Sequence, residues 1–149
     1  MAGSREHPRP ETVGPRIGEL ALSLGGRPLI VRHGACPGPT SVDQAADDWI
    51  RACGDWLGVT ADPMAADWDH CGPDCPTGRS HRRRKKPGDI WHPGVCDDYC
   101  PGAGPRRNAG MVLLGADGMY AWPAGASYGT RNCMRLAKRA GIPVRRWTA

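Results

Sequence analysis

The chain has 149 residues, a formal net charge of +5, and 21 glycines and 15 prolines. A chain of this length builds one core, and glycine and proline well above average usage exclude a compact, purely helical bundle. It contains no apolar run long enough to cross a membrane, and its first ten residues carry Arg5, Glu6, His7 and Arg9 instead of the apolar block of a signal peptide. The expectation is a cytoplasmic protein without a membrane partner. The charge is uneven: no acid follows Asp117, whereas Arg131, Arg135, Lys138, Arg139, Arg145 and Arg146 do. Such a surface suits phosphate-bearing partners, from nucleotides to nucleic acid, or simply a solvated helix, and charge does not choose among them.

From Thr12, Val13, Ile17, Leu20, Ala21 and Leu24 recur at helical spacing, and Gly25-Gly26 supplies a left-handed stop. Pro28 to His33 is a short β-branched run closed by Gly34, which predicts a buried parallel strand and a loop. Ser41 caps a second helix whose apolar stripe runs through Val42, Ala45, Ala46, Trp49, Ile50, Cys53, Trp56 and Leu57, so Cys53 is expected to be buried. Val59 to Pro63 predicts a short edge strand. Residues 70–104 show no periodicity and read as an insertion within a single domain spanning 1–149. Beyond it, the pattern predicts a helix over 105–114, a strand over 118–122, a helix over 130–140 and a strand over 143–147. This alternation predicts an α/β fold with a mainly parallel sheet flanked by helices, whose ligands lie beyond the carboxyl ends of the strands.

Within the insertion, Cys71-x3-Cys75 and Cys96-x3-Cys100 form two matched pairs, with 20 residues between them and Gly or Pro beside each. Two thiolate pairs in a reducing compartment point to metal, and four protein ligands point to structural Zn2+ with no open catalytic position. His70, His81 or His92 can replace one Cys, four thiolates also suit an iron–sulfur cluster, and unliganded cysteines in a loop are the bland alternative. A bound ion would order a stretch that cannot bury enough apolar surface by itself. Between the pairs, Arg79-Ser80-His81-Arg82-Arg83-Arg84-Lys85-Lys86 is the densest charge in the chain, and it reads as a phosphate-contacting finger or as a solvated loop. Trp91 and Tyr99 can stack on bases or pack on the metal site.

Several segments outside the insertion, in order, carry a family resemblance: Gly3-Ser4-Arg5, His33-Gly34-Ala35-Cys36-Pro37-Gly38, Ser41-Val42-Asp43-Gln44-Ala45-Ala46, Asp67-Trp68-Asp69, Gly104-Pro105-Arg106-Arg107-Asn108, Ala121-Trp122-Pro123, Ser127-Tyr128-Gly129-Thr130-Arg131-Asn132 and Ala140-Gly141-Ile142-Pro143-Val144. Together they resemble the SLOG superfamily, in its YspA or circularly permuted YpsA-related branch. The resemblance implies a Rossmann-like domain that binds a nucleotide or nucleotide-derived ligand, with phosphoribohydrolases and sensors of nucleotide signals among its relatives. The candidate ligand residues are Gly3, Ser4, Arg5, His33, Gly34, Asp43, Arg107, Asn108, Gly129, Thr130 and Arg131. Gly129-Thr130 opens a predicted helix, where free N–H groups and the helix dipole attract an anion or the turn serves only as an N-cap.

Two departures shape the expectation. Phosphoribohydrolase relatives carry a Glu three residues after the Gly-Thr, where this chain has Cys133. Binding is therefore favoured over N-glycosidic hydrolysis, with a nucleic-acid-binding protein using Arg82 to Lys86 as the alternative. In the family a hydrophobic strand also precedes Gly-Ser-Arg, and here only Met1-Ala2 does. The first strand is expected to be missing, either because translation begins further upstream or because the strand at Pro28 pairs directly with the one at Gly118.

Overall fold

The computed structural model describes residues 1–76 and 81–147, a mixed α/β arrangement with parallel strands flanked by helices. In chain order the elements are β1 (Ala2–Gly3), α1 (Val13–Ser23), β2 (Leu29–His33), α2 (Val42–Leu57), β3 (Val59–Pro63), β4 (Arg83–Arg84), β5 (Asp98–Tyr99), α3 (Ala103–Leu113), β6 (Met119–Trp122), α4 (Tyr128–Arg139) and β7 (Val144–Arg146). A single 3-10 turn over Pro10–Thr12 leads into α1.

The parallel strands form two ladders, β1-β6-β7 and β2-β3, and the amino terminus joins them. Ala2 and Gly3 pair with Ala121 and Trp122 of β6, while the Met1 ammonium donates to the Arg32 carbonyl in β2. A two-residue strand thus stands beside β6, and β2 pairs with β3, not with β6. Each ladder is parallel, and the loops that follow β1, β2, β3 and β6 come together around one cavity, with Ser4, Gly34, Ala65 and Ala124 on its wall.

β6 shows why helices cover both faces. Successive side chains of a strand point to opposite sides. Met119 and Ala121 pack with Met111, Cys133 and Ala137 under α3 and α4, whereas Tyr120 and Trp122 join the cluster of Val13, Ile17, Val42, Ala46, Ile50 and Val59 under α1 and α2. A third, smaller cluster of Ala66, Trp68, Cys100 and Ala103, with Cys75 and Tyr99 at its edge, roots the insertion in the domain.

α2 follows the expected span but not the expected face at its end. Its buried row is Val42, Ala46, Ile50 and Gly54, an i, i+4 series that drifts by about 40° per step around the axis. By the last turn that row has passed Cys53, which is exposed, as is Trp56. The helix stops at Gly58, whose φ of +64° is the left-handed cap conformation that glycine adopts without steric cost. Ser41 stands at the other end without a side-chain cap bond, because its hydroxyl donates instead to the Cys36 carbonyl at 2.7 Å. No helix among the described residues is long and apolar enough to cross a membrane.

Candidate metal centre and ligand cavity

The insertion begins as a turn in which the Cys75 N–H donates to the Gly72 carbonyl at 3.0 Å, which brings Cys71 and Cys75 to one side. It closes with a short antiparallel hairpin, Arg83 opposite Tyr99 and Arg84 opposite Asp98. The Cys100 N–H then donates to the Trp68 carbonyl at 2.9 Å, and this sets its thiol beside the first pair. Ligand atoms of Cys71, Cys75, His81 and Cys100 all lie within 4.8 Å of one another and can hold a metal ion. Cys71 Sγ is 3.2 Å from His81 Nε2, and Cys75 Sγ is 3.5 Å from Cys100 Sγ.

Arg106 of α3 reaches this cluster, donating from Nη1 to Cys75 Sγ at 3.2 Å and to Cys100 Sγ at 3.5 Å. Burial opposes ionisation of Cys100, but hydrogen bonding from Arg106, with His81 and Cys75 beside it, outweighs burial and brings the thiol down to about 6. Burial and the neighbouring Cys100 push Cys75 upward.

Cys96 does not belong to the cluster. Two of the three residues between it and Cys100 form the extended β5, so the second x3 pair is a strand segment and cannot fold back on one ion. Its backbone N–H instead donates to Asp69 Oδ1 at 3.3 Å. The other candidate histidines have different partners. His70 Nδ1 lies 2.9 Å from Asp67 Oδ1, and His92 Nδ1 lies 2.7 Å from Asp89 Oδ2.

Beside the cluster, a cavity of about 710 Å³ opens at the carboxyl ends of the strands. Its walls include Ser4 and Arg5 after β1, Gly34 to Pro37 after β2, Ala124 to Thr130 after β6, and Arg107 and Asn108 from α3, while Trp91, His92 and Tyr99 come from the insertion. The two non-glycine residues with positive φ among those described, Ala35 at +50° and Ser127 at +32°, both line it. Strained backbone of this kind persists only where surrounding structure over-determines it, and it concentrates at ligand sites.

The hydroxyls on this wall are linked to one another. Ser4 Oγ donates to the Ala124 carbonyl at 2.9 Å and lies 2.8 Å from Ser127 Oγ, which in turn lies 2.7 Å from Thr130 Oγ1. Asn108 Nδ2 donates to the Gly129 carbonyl and to Asn132 Oδ1, both at 3.1 Å, tying α3 to the start of α4. Arg107 donates to the carbonyls of Gly34 and Met64, and a Cβ at residue 34 would overlap its guanidinium. Burial holds Arg107 below its ordinary affinity for a proton, partly offset by Asp43. Asp43 accepts from the Cys36 N–H at 3.2 Å through Oδ2, and its buried Oδ1 has no hydrogen-bond partner among the described residues.

The chain is 36% identical over 119 residues to the Gene 61 protein of Mycobacterium phage D29, covering 78% of this chain and 69% of that protein. It belongs to the family of that phage protein. No model of a known protein family matches the chain, and no solved structure matches it.

Of the ligand residues suggested by the sequence, Gly3, Ser4, Arg5, Gly34, Asp43, Arg107, Asn108, Gly129 and Thr130 line the cavity, whereas His33 and Arg131 are not on its wall. His33 is fully enclosed, accepting from the Ala35 N–H through Nδ1 and facing Asp47 Oδ1 at 3.6 Å through Nε2. Arg131 donates to the Gly125 carbonyl at 3.1 Å. In the basic run, Arg79 and Ser80 lie outside the described residues. Arg82 is paired with Asp98 at 2.7 Å and Lys85 faces Asp69 at 3.8 Å, so these two cations brace the hairpin, while Arg83, Arg84 and Lys86 remain exposed. Sequence reasoning did not place Cys36, Trp68 or His92 at the ligand site. His92 and Tyr99 stack at 3.7 Å only because the hairpin register brings residues from separate loops together.

Proposed function

We propose that the chain is a ligand-binding protein on a Rossmann-like, SLOG-type frame, which takes a nucleotide or nucleotide-derived molecule in the cavity at the strand ends. The observation that carries this reading is the cavity itself. Its volume of about 710 Å³ lies within the range of small-molecule sites, and it sits where parallel α/β sheets bind ligands. The first turn of α4 faces it through Tyr128, Gly129 and Thr130, and the first N–H groups of a helix have no partner within the helix, a ready position for a phosphate. Arg5 and Arg107 add positive charge to the same wall, and the aromatic insertion offers a surface for a planar base.

Within this reading Zn2+ ties the insertion down. Tetrahedral zinc with thiolate and imidazole ligands needs neighbouring ligand atoms roughly 3.6–3.8 Å apart. Cys75 Sγ and Cys100 Sγ at 3.5 Å and Cys100 Sγ and His81 Nε2 at 3.8 Å stand close to that spacing, Cys71 Sγ and His81 Nε2 at 3.2 Å are tighter, and all four ligand atoms lie within 4.8 Å of one another. Four protein ligands fill the coordination shell, so the ion is structural, and ligand chemistry belongs to the cavity. Binding is favoured over hydrolysis because Cys133 stands where the related hydrolases place a carboxylate, and it is buried at 3% exposure among apolar side chains.

A thermal-shift panel of mono- and dinucleotides on the zinc-loaded protein tests the reading. At least one nucleotide is expected to raise the melting temperature of the wild type, and to do so less for Arg107→Ala and Thr130→Ala. A wild type unshifted across the panel contradicts it.

A further inference from the structure

Arg5 is held in an unusual way. Its guanidinium lies 5.6 Å above the Trp68 ring, and Nη1 is 3.3 Å from His92 Nε2. Among the described residues it makes no ion pair, and it lines the cavity.

The direction of that hydrogen bond follows from the donor inventory. Arginine only donates, so His92 Nε2 must accept and the ring proton must sit on Nδ1. Nδ1 lies 2.7 Å from Asp89 Oδ2, where it donates. Asp89 is itself locked, because its Oδ1 accepts the backbone N–H groups of Trp91 at 2.9 Å and His92 at 3.3 Å. The imidazole cannot turn away: it stacks on Tyr99 at 3.7 Å and meets the Trp68 ring edge-on at 4.7 Å. Tyr99 precedes Cys100, whose N–H bonds the Trp68 carbonyl, so the metal cluster anchors the wall that carries His92.

We propose that His92 is a positioning residue of the ligand site: with its tautomer fixed by Asp89, it holds the Arg5 guanidinium over Trp68 and toward the cavity, where Arg5 receives a phosphate group of the ligand. This deepens the nucleotide reading and rests on it for the identity of the ligand, but the placement of Arg5 stands independently. It also gives the insertion a role beyond its own folding, since residues of two separate loops together build one anion-receiving arginine.

The test uses the full zinc-loaded chain and inorganic pyrophosphate as probe. Phenylglyoxal modification, mapped to Arg5 by peptide mass spectrometry, reports its surroundings without any ligand. In the wild type Arg5 reacts slowly, and pyrophosphate slows it further. In His92→Ala the Arg5 rate rises several-fold and pyrophosphate binding weakens by about tenfold, the scale of one charge-assisted hydrogen bond. His92→Gln, whose side-chain oxygen can accept in place of Nε2, restores most of both while zinc content stays at the wild-type level. If His92→Ala does not fold, Asp89→Asn gives the same reading, because the tautomer is no longer imposed, with effects between those of the wild type and a lost bond. An unchanged Arg5 rate and unchanged pyrophosphate affinity in His92→Ala overturn the proposal. So does equal loss in the Ala and Gln variants, which is the mark of packing alone, or a wild type that pyrophosphate does not protect. Pyrophosphate protection of Arg5 with no nucleotide binding removes the nucleotide reading and leaves this one standing. Nucleotide binding at full affinity in His92→Ala does the reverse.

Discussion

Arg106 and Arg107 are neighbours on α3, yet they serve different sites. Arg106 donates to the Sγ atoms of Cys75 and Cys100 at 3.2 and 3.5 Å, whereas Arg107 donates to the carbonyls of Gly34 and Met64 on the cavity side. Adjacent residues on a helix point about 100° apart, so one turn of α3 faces both the cysteine cluster and the strand-end loops. Asn108 extends the series to the start of α4.

Substitution of the two arginines should therefore separate the sites. Arg106→Ala removes the main donor to Cys100, so its thiol is expected to titrate above its present value of about 6 and the metal to bind more weakly. Arg107→Ala leaves two carbonyls without their donor and should cost about 2 kcal/mol in urea unfolding, with metal affinity unchanged. Thiol titration of the metal-free protein and denaturation of both variants check this. Equal effects of the two on metal affinity would contradict it.

The cluster makes a discriminating statement about the cysteines. Cys75→Ser and His81→Ala should each weaken zinc binding by at least about tenfold, while Cys96→Ser retains one equivalent at wild-type affinity. Competition with a chromophoric chelator measures all three. Zinc lost with Cys96→Ser and kept with His81→Ala would restore the four-thiolate arrangement expected from spacing.

The loop after β2 combines one glycine that must stay and one residue that is strained. Gly34→Ala drives a methyl group into the Arg107 guanidinium and should destabilise by ~2 kcal/mol or more. Ala35→Gly relieves a φ of +50° and should leave stability unchanged or raise it by up to ~1 kcal/mol. Urea midpoints of the two variants test the sign of each effect.

Acid should destabilise the fold through its enclosed histidines. Burial lowers His33 from its ordinary 6.5, with Asp43 and Asp47 opposing, and burial likewise lowers His92 against the pull of Asp89. The unfolded chain takes up these protons first as pH falls through about 6.5, so stability drops below that pH, by up to ~1.4 kcal/mol per unit for each histidine, until the native groups titrate. Urea midpoints from pH 7.5 to 5.5 should fall, and the slope should be shallower in His33→Asn. A flat profile, or an identical slope in the variant, would contradict the assignment.

The sequence carried the alternation of helices and strands because apolar periodicity is local: the α2 stripe and the β-branched run of β2 both fall within a few residues of their expected bounds. What escaped it depended on contacts between distant segments. Cys53 sits on the stripe of α2 as written, but the buried row drifts around the axis toward Gly54 before the helix ends. Cys71-x3-Cys75 was legible as a turn, whereas Cys96-x3-Cys100 looked the same and is partly strand, a distinction made by pairing with Arg83 and Arg84. The basic run gave no sign that Arg82 and Lys85 answer Asp98 and Asp69, acids before and after it in the chain. His92 had no motif around it, and its partner Arg5 is 87 positions away.

Isothermal titration of the zinc-loaded protein with nucleoside mono- and diphosphates, in the presence and absence of pyrophosphate, tests the central claim most directly. The account predicts saturable binding of one nucleotide per chain, competed by pyrophosphate and weakened in Arg107→Ala. No heat of binding from any nucleotide, with zinc bound and the fold intact, would contradict it.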